Sequence, residues 1–447
     1  MTWDLDKLLQ NSGSLCSCGK KHSCDLKEVI VKPQALAELP DAVRRSGGSR
    51  VFIIADRNTF QAAGETVCAR LEEAGIGHKC FVFPDQELKL NNTAVGEVIL
   101  NFDQSCDMIL AVGSGTIGDL SKLAASVAKR PLVTVATAPS MDGFASATSS
   151  VILNGTKVSL ASCAPVVIVA DLDILCAAPF SLLQAGIGDM LAKYISICEW
   201  RISSLVTGEY YCEEIASLMR AAVEDCVAQA EGLRDRRPEA VETVFKSLVM
   251  SGMAMSFAGL SRPASGVEHY FAHLWDMRAL EFATPVQHHG IQCGVATLFS
   301  LKIYDLIKKI TPDRTRALAY VESFSLEDWN RQLTEFLGVS AKALIEREKS
   351  EGKYERKGHG QRLERIMHSW GQILQIISEE LPKEEDLRQV LRTMELPLTP
   401  QEIGMTSEEV KDTFLATKDI RDKYIASMLV WDLGVIESIA ADFQSAL

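Results

Sequence analysis

The chain has 447 residues, 47% of them hydrophobic and 23% charged, which excludes a disordered protein and provides for two or three domains with sizeable cores. A formal net charge of −13 excludes broad attraction to nucleic acid or to an anionic membrane, so any anionic ligand must meet local donors. Residues 1–6 carry no secretion signal and no run of about 18 apolar residues appears, which predicts a cytoplasmic protein. The twelve cysteines, among them Cys80, Cys163, Cys198 and Cys293, are expected as reduced, mostly buried thiols.

In chain order, residues 1–27 form a leader with a cluster of soft ligands, Cys16, Cys18, His22 and Cys24. Exposed thiols are the default there, and a structural zinc is the alternative. Residues 28–178 alternate β-rich runs with amphipathic stretches, the pattern of parallel strands joined by helical crossovers. Strands are expected at 51–55, 79–83, 108–112, 132–136 and 166–170. A helix is expected over 62–74, with Ala63, Val67, Leu71 and Ala74 on one face and Gly75-Ile76-Gly77 closing it. The expected fold is a Rossmann-like α/β nucleotide-binding domain over 28–178 followed by an all-α metal- and substrate-binding domain over 179–447.

The strand at 108–112 runs into Gly113-Ser114-Gly115-Thr116-Ile117-Gly118-Asp119 and then a helix. Glycines let backbone amides approach a pyrophosphate, and a helix start adds oriented N–H groups and a favourable dipole. Asp56, at the end of the 51–55 strand, would accept from an adenosine ribose and repel a 2′-phosphate, favouring NAD over NADP; a solvated loop aspartate is an equal alternative. After the 132–136 strand, Thr137, Ala138, Pro139, Ser140, Asp142 and Ser146 cluster where a cofactor and a polyol are met in parallel sheets.

Beyond Asp171 strands give way to long periodic segments at 182–201, 213–233 and 240–260. Asp189 follows Gly186-Ile187-Gly188, His269 and His273 share a helical face four residues apart, and His289 precedes Gly290. Each alone is more often packed or capped than a ligand. Together, one carboxylate and two imidazoles suit an open divalent-metal site that polarises a substrate oxygen. The charged stretch 342–368 is expected as a surface helical excursion or a flexible connection. Thr399-Pro400-Gln401-Glu402 and Thr406-Ser407-Glu408-Glu409 each predict a capped helix start. The apolar run 425–436 offers surface for self-association.

The string from Gly113 to Asp119, then Thr137-Ala138-Pro139-Ser140-Met141-Asp142-Gly143, Gly186-Ile187-Gly188-Asp189, Ser261-Arg262-Pro263-Ala264-Ser265-Gly266-Val267-Glu268-His269 and His289-Gly290 resembles the sn-glycerol-1-phosphate dehydrogenases. These belong to the iron-containing alcohol dehydrogenase and dehydroquinate synthase-like superfamily, and the stretch 342–368 is similar to bacterial members. The resemblance implies NAD(P) contacts from Gly115 to Asp119, Thr137 to Ser140 and Ser146. It implies substrate contacts at Asp142, Asp189 and His273, and a zinc, nickel or iron ion on Asp189, His269 and His289. Of the neighbours His288 and His289, the His-Gly pair favours His289. The resemblance also implies dihydroxyacetone phosphate and sn-glycerol 1-phosphate as substrates and a homo-oligomer, most simply a dimer; in catalysis Asp142 would orient a hydroxyl and His273, or a metal-organised water, would relay the proton, with NADH the donor that Asp56 favours. Lys157, Lys193 and Arg262 are candidate phosphate donors. A polyol dehydrogenase or a dehydroquinate synthase-like lyase of the same fold is the alternative.

Overall fold

In the computed structural model, which describes residues 5–84, 88–153 and 156–447, the strands are β1 Glu28–Lys32, β2 Arg50–Asp56, β3 Gly77–Phe83, β4 Met108–Gly113, β5 Leu132–Ala136, β6 Thr148–Leu153, β7 Thr156–Ala161 and β8 Val167–Asp171. Six of them form one parallel sheet in the order β1-β8-β5-β4-β2-β3. Alternation along each strand divides the core between its two faces. Val51, Ile53, Leu110, Val112, Val133 and Val135 join one cluster, while Phe52, Ile54, Ile109 and Ala111 join the other. The chain steps from β2 to β3 on one side and returns to β4 on the other. The crevice for a ligand in such a sheet therefore opens at the carboxyl ends of β2 and β4.

All five expected strands are present to within two residues. Two features lie outside that set. β1 is a short edge strand pairing only with β8, and β6 and β7 make a separate antiparallel hairpin. The helix expected over 62–74 is tighter at its end and irregular at its start: a π turn over Phe60–Gly64 precedes the helix Glu65–Glu73. A β-carbon on Gly64 would lie 2.4 Å from the Phe60 ring.

Packing groups the chain into two units, Met1–Met190 with Glu214–Ser261, and Leu191–Glu213 with Arg262–Leu447. The sheet belongs to the first, along with helices Phe180–Leu191 and Pro238–Ala258. The second is helical among its described residues. Its core holds Trp200, Trp275, Phe271, Phe299, Phe414 and Phe443, all fully buried or nearly so, with Phe271, Phe414 and Phe443 in mutual ring contact. Helix His289–Ile307 is long and apolar enough to cross a membrane by length and composition, yet 83% of its most apolar window is buried in the fold. Its apolar character is that of a core helix.

Several helical expectations are corrected. The segment 182–201 is two helices, ending at Leu191 and restarting at Lys193, because the Ala192 carbonyl accepts from both Ile195 and Ser196 and tightens the turn. The segment 213–233 divides at Gln229 into Glu213–Ala228 and Ala230–Arg234. Residues 342–368 take the helical form of the two expected for them, in Ala341–Glu351 and Arg356–Glu380 with a break at residues 352–355. Thr406 and Glu409 form the expected capping box of helix Ser407–Thr417. By contrast, the Glu402 carboxylate accepts from Leu398 and Thr399, and only a single 3-10 turn, Gln401–Ile403, follows. The apolar run 425–436 is no exposed face, since Ile425, Met428, Leu429, Val430, Trp431 and Ile436 are buried within their own unit.

Candidate cofactor cradle and metal centre

β4 ends at Gly113, and helix Gly115–Ala128 begins two residues later. A β-carbon on Gly113 would lie 2.6 Å from that of Ile117, so only glycine permits so abrupt a turn from strand to helix. Ser114 contributes no side-chain cap. The first amides of the helix, at Gly115, Thr116 and Ile117, precede the first i to i−4 bond, which Gly118 makes to the Ser114 carbonyl. A pyrophosphate is the natural acceptor for such amides.

Beside them, Thr137 donates its amide to the Gly113 carbonyl, and Thr137, Ala138 and Ser140 are all buried. The loop is held from beneath. Gly186 in helix Phe180–Leu191 has no room for a β-carbon, which would sit 1.9 Å from the Pro139 carbonyl oxygen. A β-carbon on Gly252 would likewise lie 2.8–2.9 Å from Ala145 N and the Asp142 carbonyl oxygen. Two helices thus approach this loop at backbone contact.

Asp142 is 8% exposed. Its carboxylate accepts from Ser251 Oγ at 2.8 Å, and its amide donates to Asp189 Oδ2 at 2.9 Å. Two candidate residues, one expected at the substrate and one at the metal, are therefore coupled directly. Lys122 was not anticipated from the sequence. Its ammonium is buried and donates to the Gly143 and Thr148 carbonyls, at 2.8 and 2.9 Å, and to Ser146 Oγ at 3.2 Å, while pairing with Asp119 at 2.8 Å. The Asp119–Lys122 spacing of three on a helix was the available signal.

Asp119 and Ser146 are accordingly engaged with protein partners. Asp119 Oδ2 also accepts from the Ser150 amide, tying the β6–β7 hairpin to the helix. Asp56 stands at the carboxyl end of β2, where it caps the next turn: its carboxylate accepts from the Thr59 amide at 2.8 Å, and the Thr59 hydroxyl accepts from its own amide.

In the helical unit, helices Val267–Phe282 and His289–Ile307 bring three imidazoles together. The ring centroids of His269 and His289 are 5.2 Å apart, those of His273 and His289 are 5.5 Å apart and stacked, and those of His269 and His273 are 6.3 Å apart. Glu268 accepts from His269 Nδ1 at 2.8 Å. That bond places the proton on Nδ1 and the lone pair on Nε2, the orientation a carboxylate gives a metal-binding histidine.

His289 Nδ1 is buried without a hydrogen-bond partner among the described residues. His288, its exposed neighbour, serves as the N-cap residue of the helix. Cys293, one turn on, has its sulfur 3.6 Å from His289 Nε2. Burial alone would raise the pKa of this thiol, but the adjacent His269 and His289 imidazoles outweigh it and the net direction is down. Imidazole nitrogens of this kind, one oriented and one orphaned, fit a divalent transition metal.

Behind Glu268 lies Glu199, fully buried, which accepts from the amides of Val267 and Ala426 and from the Tyr304 hydroxyl. Burial and the Glu268 charge push its pKa up to about 8. Arg262, a candidate phosphate donor, is instead committed within the unit. It is 2% exposed, pairs with Glu209 at 2.6 Å, and donates to Ser203 Oγ and the Tyr424 carbonyl. Lys193 is buried as well and donates to the Ala264 carbonyl at 3.1 Å.

Residues 30–179 match the family model described as iron-containing alcohol dehydrogenase. Among solved structures, a glycerol dehydrogenase from Schizosaccharomyces pombe superposes with a TM-score of 0.60 at 16% identity, covering 95% of this chain and 93% of that one. The archaeal alcohol dehydrogenase ADH/D1 superposes with a TM-score of 0.61 at 14% identity, covering 96% and 99%. These likenesses establish the fold.

Closer relatives are named glycerol-1-phosphate dehydrogenase (NAD(P)+). One from Halalkalibacterium halodurans is 30% identical over 75% of this chain and 90% of its own length. One from Bacillus subtilis is 32% identical over 70% and 81%, and one from Methanosarcina mazei is 34% identical over 67% and 85%. The chain belongs to the glycerol-1-phosphate dehydrogenase family of the iron-containing alcohol dehydrogenase superfamily, and is an oxidoreductase.

Proposed function

We propose that this protein interconverts dihydroxyacetone phosphate and sn-glycerol 1-phosphate, with NADH as the preferred hydride donor and a divalent cation held by Asp189, His269 and His289. The substrate assignment is carried by the relatives named for it, at 30–34% identity over most of their length. The cation assignment is supported by the oriented His269 and the orphaned His289 Nδ1. When bound, the dinucleotide supplies the hydride and the cation supplies Lewis-acid polarisation of the C2 oxygen.

The chain's own residues bind, orient and move the proton. The amides of Gly115, Thr116 and Ile117 donate to the pyrophosphate, with Thr137 to Ser140 beside it. Asp142, fixed by Ser251, receives a substrate hydroxyl and sets its orientation. His273 would deliver the proton to the C2 oxygen of the substrate. Glu268 keeps His269 in one tautomer and one orientation.

The test is oxidation of NADH by the metal-loaded enzyme with dihydroxyacetone phosphate and, separately, dihydroxyacetone. Turnover with the phosphorylated ketone at least 100-fold above the other, about 2.7 kcal/mol in transition-state terms, is expected. Turnover confined to the unphosphorylated ketone would mark a polyol dehydrogenase instead.

A further inference from the structure

The N-terminal cysteines take no part in the cofactor cradle or in the His269–His289 centre. Residues 13–22 form a backbone-closed hairpin: Leu15 and Lys21 bridge antiparallel, the Cys16 amide donates to the Lys20 carbonyl, and the Gly19 amide donates back to the Cys16 carbonyl. Gly19 adopts φ 83°, the left-handed turn that lets the chain double back over so few residues. Cys16, Cys18 and His22 thereby converge, with their potential ligand atoms all within 4.8 Å of one another.

Each of the three has the form of a metal ligand. Cys18 Sγ lies 3.3 Å from His22 Nε2. The other ring nitrogen, His22 Nδ1, lies 2.9 Å from the Phe257 carbonyl oxygen. A carbonyl only accepts, so Nδ1 carries the proton and the Nε2 lone pair is directed at the sulfurs. Cys16 is buried, and its sulfur accepts from the Cys18 amide at 3.5 Å. Cys24 is set apart from the cluster: its thiol donates to the Leu26 carbonyl at 3.8 Å, and burial raises its pKa.

We propose that Cys16, Cys18 and His22 form a zinc site of their own, which clamps the N-terminal hairpin to helix Pro238–Ala258 through the His22–Phe257 bond. Two thiolates and a neutral imidazole balance the charge of one Zn2+. Binding displaces two thiol protons to solvent, and no electron is transferred. Two soft sulfurs select zinc over magnesium, calcium or manganese.

The full-length chain is loaded with zinc, dialysed exhaustively and analysed for metal per chain. The double variant Cys16→Ser/Cys18→Ser is expected to hold one equivalent fewer than the native sequence, while His269→Ala/His289→Ala keeps the N-terminal ion. Equal zinc content in the native chain and the serine variant would overturn the proposal. A second measurement needs no variant: iodoacetamide labelling of Cys16 and Cys18, followed by peptide mass, is expected to be at least tenfold slower in the zinc-loaded chain than after chelation. Identical labelling rates would overturn it equally.

Discussion

His269 and His289 illustrate what single residues disclose. Their types and glycine neighbours were enough to nominate them, because imidazoles, carboxylates and thiolates are the side chains that hold a divalent transition metal. The partners that orient them were not legible: Glu268 adjoins His269 in sequence, but nothing in a Glu-His pair says which way the carboxylate turns. For a similar reason Lys122 was legible only as an i, i+3 partner of Asp119 and Ser251 not at all, since their other contacts arise only when distant loops reach them. Asp56 was legible as a carboxylate at a strand end, yet its cap with Thr59 was not inferred. The cap and the charge can be separated. Asp56→Asn keeps an N-cap acceptor and removes the charge expected to oppose a 2′-phosphate. The ratio of kcat/KM for NADPH to that for NADH should rise about tenfold, roughly 1.4 kcal/mol of relieved repulsion. An unchanged ratio would show that cofactor choice is made elsewhere.

Among the elements, the parallel strands were the easiest to foresee, because runs such as Val51-Phe52-Ile53-Ile54-Ala55 are buried on both faces and read as continuous apolar stretches. β1 escaped because five residues at a sheet edge carry little pattern. The β6–β7 hairpin escaped although its sequence has Asn154-Gly155 between two β-branched runs, the commonest short hairpin signal. Helix breaks at Ala192 and Gln229 were hidden because the apolar period continues across them. Packing between elements explains Gly186, which the sequence marks only as part of a glycine pair. In Gly186→Ala, two backbones must part, since the new carbon meets a carbonyl oxygen and not a flexible side chain. The expected cost is about 2–4 kcal/mol, seen as a lower urea midpoint, with a KM for NADH raised several-fold as the Pro139 loop shifts. A variant matching the native protein on both readings would contradict the close approach.

For the molecule as a whole, stability depends on buried charge that the sequence hides among its many surface acids. Glu348 is 5% exposed, and its Oε2 lacks a hydrogen-bond partner among the described residues. Burial pushes its pKa up to about 7, despite Lys353 at 2.8 Å. In the unfolded chain the carboxyl ionises near its ordinary value of 4.5, so between pH 4.5 and 7 the folded state binds more protons and stability falls as pH rises. The contribution is complete below that window and gone above it. Glu348→Gln should flatten the descent by about 2 kcal/mol, read from urea midpoints across the window; parallel slopes for both proteins would refute it. The buried ammonium of Lys122 has a different consequence. Because it ties the segment 143–148 to Asp119 from inside the protein, that wall of the proposed dinucleotide pocket is tied down in advance, and docking is spared the entropy cost of ordering it. Capture of the coenzyme should then be limited by diffusion and orientation, not by a folding step at the pocket's edge.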